Sequence, residues 1–186
     1  MQLKSIRLKL KNLVVQMTNL SAHFTLAELT YSETAKAYGI NNEPTPIYLK
    51  TLKHTCEYLL EPLRTLLGQH FGTTVCIKIT SGYRGPALNA KVGGSSTSQH
   101  CKGEAADIEA YYMRNGQKVV IPYTTTYELI KGWVKVGKLS VDQCIQEQSG
   151  SAKWVHVSHS AAGKTKDRKQ FLKYNGKSYL TDIIIK

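Results

Sequence analysis

Leu49, Leu52, Cys56, Leu59, Leu60, Leu63, Leu66 and Leu67 recur every three to four residues between Ile47 and the end of a leucine-rich stretch. That spacing predicts one amphipathic helix, the main core helix, with Gly68 as its terminator. Pro62 falls inside it and removes a backbone donor, so a kink or a split is expected there. Upstream, Thr25 and Glu28 in "HFTLAELT" have the spacing of a capping box, and the short helical turns that follow close at Gly39. "NNEPTP" reads as a loop. Downstream, "TTVCIKIT" is a β-branched strand, "GEAADIEAYYM" a second strand and "TTTYELIKGWVKVGK" a helix. "SVDQCIQE" and "KWVHVSH" are two further strands joined by the turn "QSGSA". Together these elements predict an α+β domain: helices packed on one face of a small, mostly antiparallel sheet.

One stretch breaks the pattern. "SGYRGPALNAKVGGSSTSQHCKGEAADIEA", residues 81–110, holds five glycines, one arginine, one histidine and three carboxylates, with few core residues. Such a polar, turn-rich insertion between two strands serves a site better than a core. His100 and Asp107 stand seven positions apart within it, separated by small residues that leave room for an ion.

Composition narrows the class. A chain of 186 residues with 41% apolar and 20% charged residues is an ordinary single globular domain. Its 25 Lys and Arg against 13 Asp and Glu give a net charge of +12, which favours anionic partners such as cell-wall polymers, anionic membrane or nucleic acid. The 11 tyrosines are scattered and the basic residues cluster mainly in "GKTKDRKQFLKYNGK" and at the amino terminus, which argues against a nucleic-acid binder. The four cysteines have no C-x-x-C spacing and read as free thiols; Cys101 beside His100 would point away from it in an extended segment.

Residues 1–22 form a basic arm or an extension preceding a domain at 23–186. Leu3, Ile6, Leu10, Leu13 and Met17 have helical spacing, while "RLKLKNL" alternates like a strand. The longest apolar run there is "LVV", too short for a secretion signal, and no run reaches transmembrane length. The expectation is a monomer made in the cytoplasm.

A catalytic zinc site takes three protein ligands and leaves a fourth position for water. Of six histidines, His23, His54 and His70 read as structural, leaving His100, His156 and His159. Strand alternation in "WVHVSH" separates His156 from the apolar face of Val155 and Val157, so His156 is preferred to His159. The same alternation puts Asp107 and Glu109, not Glu104, on one face.

The segment "SGYRGPALNAKVGGSSTSQHCKGEAADI" followed by "WVHVS" resembles the zinc D-Ala-D-Ala carboxypeptidase family, especially its phage-encoded members, over most of the chain from about Phe24 to beyond Ser158. That family shares its core fold with lysostaphin-like endopeptidases and the hedgehog signalling domain. The resemblance implies one Zn2+ held by His100, Asp107 and His156, with Arg84 binding a substrate carboxylate or polarising the scissile carbonyl. It also implies Ser98 as a substrate-binding or loop-orienting serine. A guanidinium fork suits a carboxylate on chemical grounds as well.

Many relatives carry an acidic general base three positions before the last histidine, where this chain has Lys153. A lysine serves as base only if burial depresses its pKa greatly. Glu147 at the end of "VDQCIQE" is the expected substitute, with Asp142 farther back and a bulge needed to decide which residue reaches the zinc. The implied function is a zinc peptidase cutting peptidoglycan stem peptides, as a D-Ala-D-Ala carboxypeptidase or an L-alanyl-D-glutamate endopeptidase. It would act at the cell wall as a phage-associated or holin-released enzyme. The alternative is a catalytically silent zinc-containing module of the same fold, with Lys153 as its support.

Overall fold

The computed structural model describes residues 18–161, 166–174 and 176–185. Most of the expected amino-terminal arm, residues 1–17, lies outside the described residues. Leu20 already packs into the core beside Phe24. The capping box forms as its spacing predicts: Thr25 and Glu28 satisfy each other's backbone N–H at the start of α1 (Leu26–Thr30), followed by α2 (Glu33–Ala37).

The leucine-rich stretch is one helical rod in three parts: α3 (Pro46–Thr55), a π-helical turn (Cys56–Leu60) and α4 (Glu61–Phe71). Its apolar stripe is fully buried at Leu52, Cys56, Leu59, Leu60, Leu63 and Leu67. Pro62 neither breaks nor splits the rod. The wider turn just before it lets the Glu61 N–H bond back to the Cys56 carbonyl, relieving the crowding that a proline ring imposes on the preceding turn. The helix runs past Gly68 and ends at Gly72, which adopts φ +64 as a left-handed cap.

A seven-stranded sheet lies across this rod. Its strands are β1 (Val75–Ser81), β2 (Ala105–Arg114), β3 (Gln117–Val120), β4 (Gln143–Ser149), β5 (Ala152–Ser158), β6 (Gln170–Tyr174) and β7 (Tyr179–Ile184). The order is β1-β2-β5-β4-β6-β7, with β3 paired to β2, and every pairing is antiparallel except β4 with β6. Helix α5 (Pro86–Lys91) follows β1, and α6 (Tyr123–Lys135) precedes β4. The α+β architecture with a mostly antiparallel sheet therefore stands. Three strands went unpredicted. β3 returns from β2 through Asn115-Gly116, both at positive φ, a dipeptide that signals a tight hairpin. β6 and β7 were hidden in the lysine-rich carboxy terminus, where only alternate residues face the core.

One face of the sheet carries Ile108, Cys144, Val155, Val157 and Phe171 into the core against α6 and the rod. Burying Ile108, Val155, Val157 and Phe171 contributes about 1.5–3 kcal/mol each. The opposite face is the one left to build a site. Among the described residues no helix is long and apolar enough to cross a membrane.

Candidate metal centre and cleft

The register of the sheet assembles the centre. Asp107 on β2 pairs with His156 on β5, which pairs with Ile145 on β4, so the three side chains stand in one row on the face away from the helices. Strand alternation sends Val155 and Val157 inward and His156 outward.

His100 comes from elsewhere. It sits in a 3-10 turn (Gln99–Lys102) that ends at Gly103, whose φ of +71 and close approach to the Tyr48 carbonyl, 2.9 Å from an added Cβ, leave room for glycine alone. His100 Nδ1 lies 2.7 Å from the Gly82 carbonyl and donates to it, which leaves Nε2 aimed at the row. The Arg84 N–H bonds the His100 carbonyl at 3.2 Å, tying the two segments of the polar stretch together.

His100 Nε2, His156 Nδ1 and Asp107 Oδ1 converge, at 3.2 Å between the imidazole nitrogens and 3.3 and 3.0 Å from each to the carboxylate. These are the separations of donor atoms around one tetrahedral ion, whose bonds of about 2.0–2.1 Å put neighbouring ligands about 3.3 Å apart. All three residues are buried. Burial alone would raise the Asp107 carboxyl, but the charges and hydrogen bonds of His100 and His156 outweigh it and hold the pKa well below the usual carboxylate range. Two imidazoles and a carboxylate suit zinc and the neighbouring transition ions.

Gly82 is the hidden support of this geometry. A Cβ there would meet the Leu29 carbonyl oxygen at 2.2 Å and two further Leu29 backbone atoms at 2.8 Å. Gly82→Ala is expected to cost about 3 kcal/mol in urea unfolding and to loosen metal retention by displacing the carbonyl that holds His100.

The other candidates separate. Glu109 does not join Asp107: farther along β2, its carboxylate pairs with Lys118 at 2.7 Å, because β3 brings that lysine alongside. His159 bonds Asp167 at 2.6 Å and stacks on His54, whose own pKa is lowered by burial and by the His159 charge. Asp142 is held by the Arg168 Nε at 2.9 and 3.1 Å and by the Gln99 amide at 3.0 Å, and these bonds outweigh burial to keep its pKa low. It is committed as a structural carboxylate. All four cysteines are free thiols, and none joins the cluster.

Glu147 reaches the centre without any bulge. It lies on β4 two residues beyond Ile145, pairs with Trp154 in an unbroken ladder, and so shares the face of His156. Burial, then the Asp107 charge, raises its pKa to about 7, with His156 and Arg84 pulling in the opposite direction. Lys153 pairs with Gln148 on the opposite face, where its ammonium lies 5.6 Å from the Tyr123 ring centroid.

These groups line a cleft of about 1170 Å³. Arg84 and Ser98 border it, and the Arg84 Nε is buried without a hydrogen-bond partner, a donor left unspent by the fold. Gln99 and Tyr179 also face the cleft and had no signal in sequence, because only strand register and turn geometry bring them there, whereas Trp154 lines it from the strand face that alternation gives it with His156.

No curated protein sequence matches the chain. The family model for peptidase M15 matches residues 22–121, a span that carries His100 and Asp107 and stops short of β4 and β5, so Glu147 and His156 reach the cleft from outside it. Members of this family are zinc-dependent peptidases, and a match over more than half of the 186 residues settles the assignment: the chain belongs to the peptidase M15 family.

Proposed function

We propose that the protein hydrolyses stem peptides of peptidoglycan, as a D-Ala-D-Ala carboxypeptidase or an L-alanyl-D-glutamate endopeptidase of the phage-lysin type. The observation that carries this reading is Glu147: a carboxylate with its pKa near 7 beside a three-donor metal cluster, in a cleft that also holds an unspent arginine donor.

His100, Asp107 and His156 would hold the ion, and zinc in such a donor set would supply Lewis acidity and lower the pKa of water to about 7. Glu147, on the same sheet face, accepts the proton of the attacking water and returns it to the leaving amine, a role that needs a pKa near the working pH. Arg84 orients the peptide by holding its carboxylate or carbonyl oxygen with its guanidinium. Ser98, at the entrance to the His100 turn, lies where it can hydrogen-bond the same peptide. The net charge of +12 would speed encounter with anionic wall polymers and supports a site of action at the cell wall.

A silent zinc module draws its support from Lys153 in place of an acid. With Lys153 on the far face and Glu147 on the near one, that support falls away.

Incubating zinc-loaded protein with purified peptidoglycan and identifying products by mass spectrometry tests the proposal. Fragments with new termini are expected, and the termini name the bond. Walls of several chemistries left intact by a protein holding one zinc per chain would overturn it in favour of the silent module.

A further inference from the structure

The cleft has a wall that the metal centre does not use. Its metal row continues past His156 and Ile145 to Leu172 on β6 and Thr181 on β7, each residue the direct ladder partner of the one before. Ile145 and Leu172 thus form an apolar shelf bordering the cleft beside the ion ligands.

A second row runs parallel to it. Trp154 pairs with Glu147. The parallel pairing of Gln146 with Lys173 puts Glu147 and Tyr174 level at the next step, and Tyr174 pairs with Tyr179. Tyr179 therefore stands on the face of Glu147, at the first residue of β7, where it lines the cleft with 54% of its surface exposed. The Tyr174 ring packs beside it, 4.8 Å away centroid to centroid. Burial raises the Tyr179 hydroxyl pKa, and the charges of Glu147, Tyr174 and Asp107 raise it further against the pull of Arg84. One phenol thus feels the candidate base, a metal ligand and the substrate arginine together, and it keeps its proton at working pH.

No hydrogen bond to another side chain occupies that hydroxyl among the described residues. A neutral O–H donor at the edge of a cleft that also holds an apolar shelf and a cationic donor is arranged for a peptide: one carbonyl for the phenol, one apolar side chain for the shelf.

We infer that Tyr179 is a substrate-binding residue, its hydroxyl donating to a peptide carbonyl of the bound substrate while the Ile145–Leu172 shelf receives an apolar side chain. This rests on the peptidase reading and adds a substrate contact from β7, outside the span matched by the family.

Tyr179→Phe removes the donor and keeps the ring; Tyr174→Phe removes the same group from a tyrosine that does not line the cleft. With full-length zinc-loaded protein and an alanine-containing stem peptide, Tyr179→Phe is expected to lower kcat/KM about tenfold, the loss expected for a hydrogen bond made to bound substrate. Zinc content and Tm should stay unchanged, and Tyr174→Phe should match wild type. Equal kcat/KM in wild type and Tyr179→Phe, or equal losses in the two phenylalanine variants, overturns the assignment and leaves the peptidase reading intact. If wild type binds the peptide without cutting it, an about tenfold weaker Kd for Tyr179→Phe supports the contact while hydrolysis fails. If wild type neither binds nor cuts, both readings fall together.

Discussion

His156→Ala is expected to lose both its metal and its activity while keeping its fold. His156 supplies one of three convergent donor atoms, 3.0 Å from Asp107 and 3.2 Å from His100. Outer-sphere changes at metal sites already cost 10–100-fold in affinity, so loss of a direct ligand should weaken zinc binding by more than about 100-fold. Equilibrium dialysis with metal analysis should read one zinc per chain for wild type and none for the variant, and peptidoglycan hydrolysis should vanish with it. Stability should follow the metal. An ion present at about 100 times its Kd stabilises the folded state by about 2.7 kcal/mol. For a domain of this size that corresponds to a Tm rise of roughly 5–10 °C, seen in wild type and absent in His156→Ala. His159→Ala is the matched control. His159 is bonded to Asp167 and stacked on His54, away from the cluster, so its loss should cost stability without releasing zinc. Zinc retained by His156→Ala, or released by His159→Ala, would show that the donors have been misassigned.

That contrast also shows what the sequence carried. His156 and His159 sit three apart, and only the alternation of a regular strand against Val155 and Val157 told them apart; that reasoning works because one buried face fixes the whole register. The capping box and the leucine stripe were legible for the same reason, since each is local and periodic. Elsewhere local signals were outweighed by tertiary context. Asp107 and Glu109 share a strand face, yet Lys118, brought alongside by the β2–β3 hairpin, draws Glu109 away. Pro62 was expected to kink or split the helix, but a π turn keeps the rod continuous there, a device that no spacing rule announces. Tyr179 was unreadable because its place depends on a parallel pairing between β4 and β6 across a long connection. Glu147 lay between these cases: proximity to His156 through a hairpin was inferable, whereas its face required the ladder to be free of bulges.

Glu147→Gln is expected to lower kcat by about 10²–10⁴-fold, the range for loss of a general base, with zinc still bound and the fold intact. The pH dependence distinguishes this from a packing effect. Glu147 must be ionised to accept a proton, and burial followed by the Asp107 charge lifts its pKa from 4.5 to about 7. The kcat/KM of wild type should therefore rise with pH on an acidic limb and level off above it. A cation on Asp107 cancels part of the charge that lifts Glu147, so the limb of the zinc-loaded enzyme should lie between 4.5 and about 7. In Glu147→Gln that limb should be missing. Stability runs the other way. A carboxyl whose folded pKa exceeds its unfolded value contributes stability below the unfolded pKa, and that contribution is lost as pH rises through the folded one. Metal-free wild type should thus lose stability relative to Glu147→Gln between pH 4.5 and about 7, the difference staying constant above that window. A variant as active as wild type, or one of lowered activity with the acidic limb unchanged, would assign the proton transfer to another group. A variant with lost activity, a missing limb and greater stability at pH 8 would fix the base at a buried carboxylate that the fold pays to keep.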